Sequence, residues 1–318
     1  MIRIFYLENN QLHWEKHQSL STPVQDGRHI LWVDLQSPTP EESKQIENQF
    51  GIEFYTPQEA AEIESSSRYF EDSTAVEANN VFVVYEEQSY VPRQVSFILH
   101  NDILFTLRNA DLKSFGETVR KIKTFKRGAL GNGFQIWLLL IENQIDREAD
   151  FIENLTRLTN MVSRNLVIER SIQEETLLKI TQLQENTIVI RESIVDKQRL
   201  VSSLMKSAQM TEPEIERLRI IIKDINSLLQ HVQFSFERLE YLQNTFLGLI
   251  NIEQNKVIKI FTVVTVVFMP PTLIASIYGM NFRFMPELDW VAGYPFALGL
   301  MVISSFAFLW YFKRKNWL

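Results

Sequence analysis

The residues IFTVVTVVFMPPTLIASIY (260–278) carry no charge; they lead into GMNFRFMPELDW (279–290) and a second uncharged run, VAGYPFALGLMVISSFAFLWYF (291–312). Each run is close to the roughly 20 residues that an α-helix needs to cross the hydrocarbon core of a bilayer. Lys256 and Lys259 precede the first run, and Lys313, Arg314 and Lys315 follow the second. The short loop between them holds one base, Arg283, against Glu287 and Asp289. Lys and Arg collect on the cytoplasmic side of membrane spans, so this bias predicts both chain ends inside the cell and the loop outside. The expectation is a transmembrane hairpin over residues 256–318, with spans at about 257–279 and 291–312, an external loop at 280–290, and Gly279-Met280-Asn281 at its outer mouth.

Upstream, the chain reads as long helices. Residues 134–168 and 170–208 have helical periodicity, and Thr211-Glu212-Pro213-Glu214 starts another helix that meets no break before the membrane. Ile215, Leu218, Ile222, Ile225, Leu229, Val232, Phe236, Leu239, Phe246 and Ile250 alternate in steps of three and four, with one gap at Gln243. That is a heptad seam, which suits a helix packed on its neighbours.

A second stripe runs beside the seam. Asn244, Gly248, Asn251 and Asn255 continue in the same heptad through Ile258, Thr262, Thr265, Met269, Thr272 and Ser276 to Gly279. The positions between them in the span are Val, Ile, Phe and Leu. Polar side chains at membrane depth are tolerated where they face protein or a water-filled cavity. Taken singly, each is equally explained by close helix packing and by Thr and Ser bonding back to their own helix. A stripe continuous from Asn255 to Asn281 favours a water-filled axis. One hairpin cannot enclose such an axis, so several copies in a ring are required.

Residues 1–130 read as α/β. Residues 2–7, 29–35, 81–85, 94–99 and 103–108 are strand-length apolar or β-branched runs, with a turn at Asn101-Asp102 joining the last two into a hairpin. Thr39 is an N-cap, Pro40 takes the first helical position, and a helix through Phe50 follows. Residues 58–66 (QEAAEIESS) suggest a second helix. The natural assembly is a mixed sheet with helices packed on it. Gly128, Gly131 and Gly133 lie in a loop without the strand–turn–helix setting of a phosphate-binding loop.

Composition narrows the function classes. The 318 residues are 45% hydrophobic and 22% charged, an average resembling a soluble protein only because the apolar residues concentrate near the C-terminus. The formal charge of −7 argues against a nucleic-acid partner. No Cys is present, which excludes disulfides and thiolate metal sites, and the five His include no metal-ligand pair. No nucleophile–base constellation and no cofactor loop support an enzyme, and no organic cofactor is expected. MIRIFYLENNQLHWEK (1–16) lacks the layout of a signal peptide, so residues 1–130 and the helical region and stalk of 131–255 are expected in the cytoplasm.

YGMNF (278–282), followed closely by Met285-Pro286-Glu287-Leu288, resembles the signature of the CorA magnesium transporters. Pro270-Pro271, the KRKNWL tail (313–318), Ile252-Glu253-Gln254-Asn255, Trp32-Val33-Asp34-Leu35 and Phe105-Thr106-Leu107-Arg108 fit the same family, end to end. Arg283 stands where many members carry an acidic residue. The resemblance implies a funnel-shaped homopentamer in the inner (plasma) membrane, with the first span lining a pore and the second facing lipid. The aromatic side chains Phe296, Phe306, Phe308, Trp310, Tyr311 and Phe312 agree with a lipid-facing second span.

The expected cargo is Mg²⁺, with Co²⁺ and Ni²⁺ as further candidates. Five copies of Gly279, Met280 and Asn281 would form the outer selectivity site, Gly279 letting the backbone turn sharply at the helix end. Asn255 would ring the inner mouth, Met269 an apolar constriction, and Glu287 and Asp289 would concentrate cations outside. Pro270 and Pro271 leave the carbonyls of Val266 and Val267 without helical partners; those oxygens either serve the pore or mark a bend, and the bend is favoured. The resemblance also implies regulatory Mg²⁺ between neighbouring cytoplasmic domains, with Glu86, Glu87 and Asp224 as candidate ligands, and Glu71 and Asp72 behind them. Two other readings stand beside this one: a zinc transporter of the same superfamily, against which MPEL speaks, and a membrane-anchored cytoplasmic scaffold or sensor, which has no need of the polar stripe.

Overall fold

The computed structural model describes residues 1–9, 11–17, 29–55, 68–87, 89–125, 130–168, 173–281, 283 and 285–315. The helix expected at 58–66 lies outside them. The chain divides into two compact units, Met1–Leu242 and Gln243–Leu318.

The first unit is built on one seven-stranded sheet of order β2-β1-β3-β7-β6-β5-β4. The strands are β1 Ile2–Glu8, β2 Gln11–His17, β3 His29–Gln36, β4 Tyr69–Glu71, β5 Ala75–Glu86, β6 Ser89–His100 and β7 Ile103–Arg108. The sheet is mixed, as expected: β3 and β7 run parallel and every other pair antiparallel. Asn101 and Asp102 make the β6–β7 turn with φ of 49° and 61°. That left-handed backbone suits a two-residue hairpin, and Asn and Asp tolerate it best among residues with a Cβ. On one face, Ile2, Ile4, Ile30, Val33, Leu35 and Phe105 pack with Ile46 of helix α1, Pro40–Phe50. Thr39 caps α1 as read: its hydroxyl accepts from the Glu42 amide, and Glu42 returns a bond to the Thr39 amide.

Helices α2 (Lys113–Lys123), α3 (Gly133–Val167) and α4 (Glu174–Leu204) complete this unit's cover. Trp32 stacks on Phe5 at 4.5 Å and meets Phe115 of α2, while Phe97 stacks on Trp137 of α3 at 5.3 Å. Gly133 opens α3 rather than lying in a loop. Its amide donates to the Asp102 carbonyl at 2.6 Å, and a Cβ there would sit 2.3 Å from the Leu104 nitrogen. Only glycine allows so close an approach to the β6–β7 turn. Lys197 of α4 and Glu148 of α3 form a fully buried ion pair at 2.7 Å; Lys197 also donates to the Val81 carbonyl at 2.6 Å, tying both helices to β5.

The two family-like motifs near the N-terminus form one buried network. The parallel register sets Asp34 opposite Thr106 and Gln36 opposite Arg108. Trp32 Nε1 donates to Thr106 Oγ1 at 2.9 Å, and Thr106 donates on to Asp34 Oδ1 at 2.9 Å. Arg108 grips both Asp34 oxygens at 3.1 Å, and Arg3 reaches Asp34 from β1. Burial alone would raise the Asp34 carboxyl, yet the two guanidiniums hold it below the usual carboxylate range.

Helix α5, Glu212–Tyr278, belongs to both units. Within the first, Arg217 binds Glu142 of α3 through two hydrogen bonds of 2.7 and 2.6 Å. Its seam differs from the expected one at alternate positions. Leu218, Ile225, Val232, Leu239 and Phe246 are buried as read, but Ile221, Ser235 and Leu242 are buried where Ile222, Phe236 and Gln243 were expected to point inward. The gap at Gln243 vanishes in this register. A polar Ser235 in the stripe hid it, since its hydroxyl is satisfied within the helix by the His231 carbonyl at 2.9 Å.

Candidate ion pathway

The second unit contains the end of α5 and helix α6, Gly293–Arg314. Both are long and apolar enough to span a bilayer, and only 11% of the apolar window of each is buried within the chain, unlike the core helix of a soluble protein. Val263 and Val267 of α5 are buried with Phe312 of α6, flanked by Val266 and Leu309. Phe312 therefore turns inward, a correction to its expected lipid-facing role. Phe296, Phe306, Trp310 and Tyr311 remain exposed.

Pro270 and Pro271 lie inside α5. Proline has no N–H, so the carbonyls four residues earlier lose their helical donors. Ser305 of α6 supplies a substitute, its hydroxyl donating to the Val267 carbonyl at 3.3 Å. That freed oxygen is used between the two helices.

The contact with α6 fixes how the polar stripe is turned. An α-helix advances roughly 100° per residue, which sets Thr265 and Met269 about 160° and 120° from Val263 in the same sense, within about 40° of each other and on the far side of α5 from α6. Asn255, Ile258, Thr265, Met269, Thr272 and Ser276 are exposed in the single chain and Thr262 half-buried. Thr262, Thr265 and Thr272 donate to the carbonyls of Ile258, Phe261 and Phe268 at 2.8, 2.9 and 2.8 Å. The back-bonding weighed from sequence is present. It leaves each hydroxyl oxygen as an outward acceptor with its proton already committed, which suits water ordered around a cation.

At the helix end the Gly279 amide donates to the Ala275 carbonyl at 2.9 Å and the Met280 amide to that of Ile277 at 3.3 Å. Gly279 closes the helix without a left-handed backbone. A Cβ there would lie 3.1 Å from the Ala275 carbonyl oxygen, a tight fit against the closing turn. Met280 and Asn281 are exposed, and the Asn281 amide makes no hydrogen bond among the described residues. Beyond them Pro286–Leu288 forms one 3-10 turn, and Glu287 and Asp289 are exposed on it and just after it. Gly293 anchors this loop, because its Cα packs so tightly that a Cβ would meet the Glu287 carbonyl oxygen at 2.2 Å. Only this packing distance, and no feature of the sequence, marks Gly293.

The regulatory candidates sit in different settings. Glu86 forms an ion pair with Arg93, and Glu87 is exposed in the turn after β5. Asp224 is exposed on α5; burial raises the Asp146 carboxyl on α3, and Glu142, Asp150 and Asp224 add to that. Glu71 accepts from Tyr69 and Ser207, and Asp72 caps its own turn at Thr74 and Ala75, so both are engaged internally. No group of three or more His, Asp or Glu is placed to hold a metal ion among the described residues.

Comparison with known proteins agrees with this arrangement. A family model described as CorA-like Mg²⁺ transporter protein matches residues 27–314. The magnesium transport protein CorA of Wolinella succinogenes is 38% identical over 323 residues, covering all of both chains. That of Escherichia coli K12 is 36% identical over 325 residues, again covering all of both. Among solved structures, the complete CorA magnesium transporter from Methanocaldococcus jannaschii superposes with a TM-score of 0.84 at 21% identity, over 100% of this chain and 99% of that one. The family model covers most of the chain and these relatives match it along its whole length, and the chain belongs to the CorA-like Mg²⁺ transporter family.

Proposed function

We infer that this protein carries Mg²⁺ across a membrane through a pore lined by α5. The observation that carries the reading is the polar stripe from Asn255 to Ser276, centred on the side of α5 turned away from α6, in a chain of the CorA-like family. Most of this face is exposed in the single chain, and a continuous line of Thr and Ser at membrane depth, although back-bonded, suits a polar environment better than lipid. Symmetric copies supply it, and we take the assembly to be a homopentamer with both chain ends in the cytoplasm. Residues 1–130, 131–255 and 256–318 then serve as sensor domain, helical stalk and membrane domain.

Mg²⁺ prefers octahedral oxygen ligands and sheds water reluctantly. A ring of neutral oxygens lets the hydrated ion enter and leave, whereas a ring of carboxylates would hold it. Asn281 supplies such oxygens beside the carbonyls of Gly279 and Met280. Thr262, Thr265, Thr272 and Ser276 offer hydroxyl oxygens along the path, Met269 narrows it, and Asn255 rings the inner mouth. Glu287 and Asp289 offset Arg283 and draw cations to the outer mouth. Purified protein in liposomes should take up Mg²⁺ from outside under a concentration gradient, read by an entrapped Mg²⁺ dye. Uptake no faster than in protein-free liposomes would favour the anchored-scaffold reading instead.

Regulation would use Mg²⁺ between cytoplasmic units, where like charges repel until a divalent ion bridges them. Glu86, Glu87 and Asp224 are exposed, and Glu86 would exchange its Arg93 partner for the ion. Mg²⁺ should protect the wild-type protein from protease, and Glu86→Ala with Asp224→Ala should shift the protecting concentration upward. An unshifted curve removes both residues from the role.

A further inference from the structure

A cavity of about 350 Å³ lies in the first unit, beside β4 and β5 and the last turns of α4. Arg68, Asn79, Arg199, Ser202, Ser203 and Lys206 line it. Its one carboxylate, Asp196, is already saturated: it accepts from Arg68 Nη1 at 3.0 Å, Asn80 Nδ2 at 2.9 Å and the Val81 amide at 2.8 Å. Gln198 donates to Asn226 and Tyr69 to Glu71, which leaves the cations of the wall as its strongest donors. Arg68 Nε is buried and unpartnered, although its Nη1 holds Asp196. Arg199 and Lys206 are exposed and have no ion-pair partner among the described residues.

Leaving a buried donor unmade is unfavourable, and the orphaned Arg68 Nε beside Arg199 and Lys206 points to an acceptor in the cavity. Three cations against a single carboxylate suit a ligand carrying about two negative charges and accepting many hydrogen bonds, which is the chemistry of a phosphate group. The volume falls at the small end of ligand sites, with room for more than the phosphate alone. No glycine-rich loop is involved; side chains would supply every contact. We propose that this cavity binds a small phosphate-bearing anion.

The test is isothermal titration calorimetry on the full-length protein in detergent, at low salt, with inorganic phosphate and with adenosine 5′-monophosphate as probes. One site per chain is expected. Arg199→Gln with Lys206→Gln should raise the dissociation constant by at least about tenfold for each probe, since each cation loses a charge-assisted contact. Both residues are exposed and outside the core, so this variant keeps its fold, checked by circular dichroism. Tighter binding of the nucleotide assigns the site to a nucleotide, and equal binding assigns it to the phosphate group alone. No heat from either probe at about 10 mM, or binding that the double variant leaves unchanged, overturns the proposal.

Discussion

Asp34→Ala should destabilise the α/β unit by about 3–5 kcal/mol, because it strips the partner from a fully buried Arg108. The guanidinium cannot escape to water. It sits between β3 and β7, over the Phe115 ring at 4.5 Å, and donates to Gln36 and to the Ala110 carbonyl as well as to Asp34. For a unit of this size the loss corresponds to a fall of roughly 6–20 °C in apparent melting temperature, measured by circular dichroism on purified protein. Asp34→Leu together with Arg108→Met should recover part of the loss, since the fully buried guanidinium is gone and only the partly exposed Arg3 loses its partner. If the double variant were less stable than Asp34→Ala, the network's charge pairing would not be what matters there. The pH dependence follows from the depressed carboxyl. The folded state holds Asp34 ionised more strongly than the unfolded chain does, so its stabilisation is fully present above about pH 4 and is lost as pH falls through the folded value. Asp34→Ala should therefore flatten the acid side of the stability profile.

The membrane hairpin was legible because two uncharged runs flanked by Lys and Arg have few other physical readings. The sheet was legible strand by strand only where hydrophobic runs were continuous. β2, QLHWEKH, lies at an edge with much of its length exposed, so it carries no apolar alternation to read. α2 hides its buried Phe115, Thr118 and Ile122 among Lys and Arg. WVDL and FTLR were visible as motifs, but their joint meaning was not: they stand 72 residues apart and meet only through the parallel pairing of β3 with β7. The seam of α5 was placed one residue off at alternate positions, because side-chain type cannot distinguish neighbouring faces where Ile221 and Ile222 are both apolar. The stripe was legible as a pattern, but which way it turns came from the Val263–Phe312 packing and the Ser305 bond to Val267. The cavity between β5 and α4 had no signature in sequence at all, since it depends on which donors are left unmade after folding.

Asn281→Ala should reduce Mg²⁺ uptake in liposomes at least tenfold, equivalent to about 1.4 kcal/mol or more in the barrier to permeation. The methyl group has no oxygen to offer a hydrated ion, and on symmetry grounds every copy in the ring loses its amide together. The Asn281 amide has no hydrogen-bond partner among the described residues, so its removal leaves no stranded group and the fold should stand. An unchanged elution volume on size exclusion is the control for assembly. Asn281→Asp separates two ideas of what the ring does. If charge alone drew the ion in, adding carboxylates would speed transport. If a neutral ring is needed so that a strongly hydrated ion can leave again, the carboxylates should hold Mg²⁺ and slow uptake, with half-saturation moved to lower concentration. Wild-type uptake in Asn281→Ala would remove the residue from the pathway, and faster uptake in Asn281→Asp would show that concentrating the cation, rather than releasing it, limits the flux.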